Sequence, residues 1–264
     1  IEYQPRVDPL VFELVGGAKQ ATDEGVKTAM LKAILEVVAK AGPKMSEASK
    51  LKIVDLAKEE MLSGNEKLAV ANAKLMGSVS EILSPEEVNK ILKENVLDSG
   101  LDGDAGKFGI LTLNSFLRDV PLHVLDRSLL NEVVGYITSS IQSSSVYLSD
   151  NGLLAAGKLL LLENEKKSPF SRIESNIELS IGEQNIENLM DSLCKAMVQP
   201  VSNSLDSRRL SLVVLRTLAR FKFNECISPF VHKLTPSVIS CLRDTVIPIK
   251  LAAEKAYLAM FRLV

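Results

Sequence analysis

The sequence predicts an all-α, right-handed α-solenoid of about six helical hairpins. Three observations carry that prediction. Apolar residues recur at i, i+3, i+4 and i+7 along nearly every long segment, no convincing period-2 run appears, and a helical pattern returns every ~40 residues. Composition agrees: apolar residues make up 46% of the 264, aromatics only 5%, and Trp is absent. Aliphatic side chains without aromatic anchors suit many similar helix–helix interfaces better than one central core.

Helix boundaries follow from local chemistry, taken in chain order. Gly16-Gly17, Gly64 and Gly100 stand where helices are expected to end, because glycine takes the left-handed conformation without a Cβ clash. Ser84-Pro85-Glu86-Glu87 reads as a capping box, with Pro85 at the first helical position. Asp98-Ser99-Gly100-Leu101-Asp102-Gly103-Asp104 reads as a connection rich in turn formers. A calcium loop fails there, since registering Gly103 at its sixth position places Gly109 where the bidentate Glu is required. The most apolar stretch, Leu153 to Leu162, is broken by Lys158 and falls short of the ~20 residues that span a bilayer. Glu163 to Ser180 reads as a polar insertion, and Thr235-Pro236 as a helix start.

The repeat is clearest on the second helix of each pair. Aligning Val26–Ile34, Leu68–Met76, Phe108–Phe116, Gly152–Leu160, Leu210–Leu218 and Ile249–Tyr257 puts Lys32, Lys74, Asn114, Lys158, Arg216 and Lys255 in one polar column. Ile34, Met76, Phe116, Leu160, Leu218 and Tyr257 form an apolar one, and Ala29, Ala71, Leu111, Ala155, Val213 and Ala252 a mostly small one, expected to let helices approach closely. Successive differences along the polar column are 42, 40, 44, 58 and 39. HEAT and armadillo hairpins recur at ~40–47 residues, tetratricopeptide and ankyrin units near 34 and 33. The expected units are 1–43, 44–83, 84–120, 121–163, 181–222 and 223–264, with an insertion at 164–180 that absorbs the long step. First helices are expected to line one surface and second helices the other. The sequence opens at Ile1 without a signal-peptide pattern and closes on Phe261-Arg262-Leu263-Val264 inside an amphipathic segment, which reads as a piece of a longer array.

Asp244-Thr245-Val246-Ile247-Pro248-Ile249-Lys250-Leu251-Ala252-Ala253-Glu254-Lys255-Ala256 resembles the HEAT consensus: an Asp, an aliphatic–basic pair, then paired alanines. Arg6-Val7-Asp8-Pro9-Leu10, followed by Glu13-Leu14-Val15 and Asp23-Glu24-Gly25-Val26-Lys27, resembles the C-terminal region of the general-control translational activator family. These are very large cytosolic HEAT-repeat proteins that switch on the kinase of initiation factor 2 in amino-acid starvation. The resemblance implies a cytoplasmic scaffold that binds translating or stalled ribosomes, contacts the kinase's RWD domain and helps present uncharged tRNA.

Charge and motifs restrict function further. Lys plus Arg is 31 against 33 for Asp plus Glu, so the chain as a whole is no cationic nucleic-acid binder. His123 and His232 are lone histidines among apolar residues; Cys194, Cys226 and Cys241 lack CxxC spacing and read as small buried residues of a reducing compartment. No phosphate-cradling glycine motif, nucleophile elbow or acid–base constellation is present, so neither an enzyme nor a cofactor or small-molecule substrate is expected.

Two basic features remain. Arg208, Arg209, Arg216, Arg220 and Lys222 cluster in one stretch, and the spacing of Arg209, Arg216 and Arg220 places them on one helical face. They read either as a solvated face or as a dock for carboxylates or phosphates. Lys32, Lys74, Lys158 and Lys255 form a possible basic stripe, or simply a solvated position whose stems cover aliphatic surface. The functional expectation is a non-catalytic scaffold that supports kinase activation by binding the RWD domain or ribosomes. The alternatives are a ribosome- or RNA-contacting segment without kinase contact, and a purely structural spacer.

Overall fold

The structure is a computed structural model that describes residues 7–59, 65–120, 125–166, 181–198, 204–220 and 228–261. Every regular element among them is a helix: α1 (Val7–Gln20), α2 (Glu24–Ala41), α3 (Glu47–Glu59), α4 (Glu66–Ser80), α5 (Pro85–Leu92), α6 (Gly103–Asp119), α7 (Arg127–Ile141), α8 (Val146–Lys166), α9 (Glu183–Val198), α10 (Leu205–Arg220), α11 (Val231–Leu242) and α12 (Ile247–Met260). They fall into two compact units, 1–124 and 125–264.

In the first unit α2, α4 and α6 pack side by side as one layer, and α1 packs against both α2 and α3. In the second unit α8, α10 and α12 form one layer and α7, α9 and α11 the other. Consecutive helices pair as hairpins across the layers in α1–α2, α3–α4, α7–α8, α9–α10 and α11–α12, and the six aligned segments fall on the even-numbered helices α2 to α12. The core is aliphatic: Leu31, Ile34, Leu56, Leu75, Met76, Leu92 and Ile110 are all within 1% of full burial. Each such side chain contributes ~1.5–3 kcal/mol relative to exposure.

Starts are set by side-chain caps. Asp23 accepts the Val26 amide at 2.9 Å, Asn65 the Lys67 and Leu68 amides, and Ser84 the Glu87 amide at 3.3 Å. Asp8 extends this idea across helices: its Oδ1 accepts the Ser46 amide at 3.0 Å and the Ser49 hydroxyl at 2.6 Å, tying the first turn of α1 to the start of α3. Asp150 of α8 does the same for α10 by accepting the Ser207 hydroxyl.

Several sequence expectations need correction. Helix α1 runs straight through Gly16-Gly17. Gly17 serves close approach instead, since a Cβ there would stand 3.0 Å from Cε of Met30 on α2. Helix α11 begins at Val231, so Pro236 lies inside it rather than at its start. The ring removes the amide that would pair with the His232 carbonyl, and the Thr235 hydroxyl donates to the Val231 carbonyl at 2.7 Å. Helix α8 continues to Lys166, past the expected start of the insertion; the rest of that insertion and Gly64 lie outside the described residues. Gly100 does sit in the left-handed region, with φ +69°.

The column of small residues does not bring helices together throughout, for Ala155 is fully buried but Ala29 and Val213 are exposed. Glycines perform that role. A Cβ on Gly77 of α4 would lie 2.7 Å from Cβ of Ser115 on α6, and one on Gly157 of α8 would lie 3.0 Å from Cγ1 of Val214 on α10. The buried positions Asn72, Ala73, Leu75, Met76, Gly77, Val79 and Ser80 recur in α8 as Gly152, Leu153, Ala155, Ala156, Gly157, Leu159 and Leu160. Lys158 therefore corresponds to Ser78, one turn beyond Lys74. In α12 the buried Ala253, Ala256 and Met260 repeat the spacing of Leu31, Ile34 and Val38, which gives Glu254, not Lys255, the place of Lys32.

Gly77→Ala should destabilise the chain by ~1–3 kcal/mol, because both Cβ and backbone carbon of Ser115 would have to shift. Gly135→Ala, exposed in α7 with nothing within 4 Å of the new methyl, should stabilise it by ~0.5–1 kcal/mol. Urea unfolding of the two variants should therefore move the midpoint in opposite directions.

Candidate interaction surface

Helix α10 carries the arginine cluster, and the structure divides it. Ser207, Ser211, Leu212, Val214, Leu215, Leu218 and Ala219 are buried against the neighbouring helices. The opposite face presents Asp206, Arg209, Val213, Thr217 and Arg220 exposed, with Arg216 half-buried beside them. Arg209, Arg216 and Arg220 thus share the expected face, and none of them has a hydrogen bond or ion pair among the described residues. Lys222 lies outside those residues.

Arg208 points elsewhere. Its Nε donates to the Met197 carbonyl near the end of α9 at 2.9 Å, and its Nη2 pairs with the Asp244 carboxylate in the α11–α12 turn. Asp244 also accepts the Val246 amide at 2.9 Å, holding the entry to α12. The guanidinium is committed to the fold, a role that the run of arginines concealed.

The lysine column is likewise mixed. Lys32, Lys74 and Lys255 are exposed; Lys158 is half-buried and makes interactions of its own, and Asn114 is buried. Lys32 and Lys74 do come together: they flank a groove of about 480 Å³ between α2 and α4, whose floor includes Leu31, Leu35 and Val70. Lys67 and Glu66 complete its rim. Lys67 escaped the column alignment, although its separation of seven from Lys74 places both on one face of α4.

The remaining candidates stay quiet chemically. Burial pushes the thiols of Cys194 and Cys241 up, which disfavours the nucleophilic thiolate. Cys226 and His123 lie outside the described residues, while His232 is exposed beside Pro236 and Arg243 along a shallow depression. Among the described residues no group of three or more His, Cys, Asp or Glu could hold a metal ion. No described helix is long and apolar enough to cross a membrane.

Stacked aliphatic hairpins with charged outer ridges define a helical-repeat protein of the HEAT and armadillo class. Importin beta shares the fold with a TM-score of 0.69 over 95% of this chain and 30% of that one, at 14% identity. A designed armadillo repeat protein matches with a TM-score of 0.54 over 94% of this chain and 98% of its own, at 10% identity. Residues 8–263 match the family described as stalled ribosome sensor GCN1-like, HEAT repeats, and the chain belongs to that family. It is 63% identical over all 264 residues to the eIF-2-alpha kinase activator GCN1 of Saccharomyces cerevisiae. It is 26% identical over 259 residues to Protein ILITYHIA of Arabidopsis thaliana, and 26% identical over 162 residues to the stalled ribosome sensor GCN1 of Mus musculus, 61% of this chain. The chain spans 10% of the yeast relative, 9% of the Arabidopsis one and 6% of the mouse one.

Arg208→Ala should cost ~1–2 kcal/mol of stability by leaving the Met197 carbonyl and the Asp244 carboxylate without their donor, whereas Arg209→Ala should stay within ~0.5 kcal/mol of the parent. Thermal unfolding of the two variants checks this difference.

The Asp244 carboxyl is held below the usual carboxylate range, first by the Val246 amide and then by Arg208. Its folded value lies under its unfolded one. The stability it contributes is therefore complete above the ordinary carboxylate pKa of about 4, and drains away as the pH falls toward the folded value. Asp244→Asn should flatten this part of the acid limb in urea midpoints measured on both sides of that pKa.

Proposed function

We propose that this chain is a non-catalytic, protein-interacting segment of a cytoplasmic translational activator, which supports activation of the initiation factor 2 alpha kinase on ribosomes. Membership of the GCN1-like HEAT family supports this reading, together with alignment along its whole length to a yeast protein named for activating that kinase. The observation that carries it to a surface is the ridge on α10 of exposed Arg209 and Arg220 with half-buried Arg216, none of which has an ion pair among the described residues. Planar guanidinium groups along one face suit bidentate contact with the carboxylates of an RWD domain or with ribosomal phosphates. Lys222 would extend the same charge. Arg208 is set apart, since its part is to hold the ridge in place.

The mouse relative's name, stalled ribosome sensor, favours a second reading in which the ridge meets ribosomal RNA and the kinase is bound elsewhere on the longer protein. Salt separates the two. Neutralising three phosphates gives a slope of log affinity against log salt of about −2 to −3, while a protein–protein contact responds less. Replacing Arg209, Arg216 and Arg220 with Ala should lower affinity for ribosomes or for the isolated RWD domain by at least about tenfold. Binding to both partners that is unchanged in the triple variant would reject the ridge as the contact.

A further inference from the structure

We propose that the groove between α2 and α4 docks an acidic, amphipathic segment of a partner protein. This site is separate from the arginine ridge of α10, and it stands or falls independently. Its floor is aliphatic, with Leu31 1% exposed and Leu35 and Val70 half-buried at the surface. Its rim carries Lys32, Lys67 and Lys74 against a single acid, Glu66. A cleft of about 480 Å³ accepts several side chains, within the range usual for ligand sites.

The charge on the rim distinguishes the groove from an ordinary helix seam. Several lysines elsewhere in the same unit are paired: Lys19 with Glu59 at 2.7 Å, Lys50 with Glu47 at 3.2 Å, Lys58 with Glu94 at 3.6 Å. Lys44, Lys90 and Lys93 have no such partner among the described residues, but they do not line the groove. Lys52 sits 3.8 Å over the Phe12 ring. Lys32, Lys67 and Lys74 have no side-chain hydrogen bond or ion pair among the described residues. Three ammonium groups against one carboxylate line an apolar trench, which is the complement of an aliphatic side chain flanked by carboxylates.

The same lining argues against nucleic acid. It contains neither an aromatic ring for a base to stack on nor an arginine to grip a phosphate through two bonds. A partner helix that lays leucines on Leu35 and Val70 would bring its flanking glutamates within reach of flexible lysine stems.

Fluorescence anisotropy of the whole chain tests the proposal. The probe is a labelled amphipathic helix of about four turns, with leucines along one face and glutamates on either side of them. Saturable binding at micromolar concentration is expected. Val70→Asp should weaken it by at least about tenfold, and so should the combined Lys32→Glu, Lys67→Glu and Lys74→Glu exchange. A matched peptide with lysines for glutamates should bind the charge-reversed chain better than the parent, which loss of folding could not produce. Absence of saturable binding, or failure of that swapped pairing, would overturn the proposal. Displacement of the probe by oligouridine that is insensitive to Val70→Asp would overturn it in favour of nucleic acid.

Discussion

An aliphatic helical hairpin cannot bury its apolar faces on itself, and everything else in this chain depends on that shortfall. Each even-numbered helix within a unit lays its inner side on the next one, so packing is passed along by neighbours instead of converging on a centre. The distance of approach is fixed where a side chain is missing, at Gly77 against Ser115 and at Gly157 against Val214. Polar latches then set the register at helix starts: Asp8 on Ser46 and Ser49, Asp150 on Ser207. Asp8 belongs to the opening motif that carried the family resemblance, so part of that resemblance reflects a structural tie between α1 and α3.

The sequence displayed the repeat well because burial imposes the same 3.6-residue period on every helix, and because the second helices share one apolar column. Tyr257 breaks that column, being 36% exposed, and in the structural register the buried Ala256 takes the place of Ile34 instead. Registers drift by a residue or by a turn because only the buried pattern is constrained; the outer positions that seemed to form a ladder are free to vary. Glycine misled for a related reason. It serves open turns at Gly100 and close contact at Gly17, and a single sequence presents both in the same way.

The candidate surfaces were legible in charge and illegible in connectivity. Spacing alone placed Arg209, Arg216 and Arg220 on one face, since periodicity within a helix is local. That Arg208 turns inward toward Met197 and Asp244 depends on residues 11 and 36 positions away, a relation that no local pattern encodes. The groove between α2 and α4 is invisible for the same reason, because its two walls are contributed by segments separated by the whole of α3.

Arg208 also bears on how the second unit comes apart. In an array held only by nearest neighbours, the terminal hairpin can open alone while its predecessor stays shut. One guanidinium here spans the end of α9, the body of α10 and the turn leading into α12. Opening of α11 and α12 must release the Asp244 carboxylate and strip a charged partner from α10 at the same moment. The last hairpin therefore opens at the cost of a charged contact as well as of apolar burial, which protects its amide protons beyond what nearest-neighbour packing alone would give.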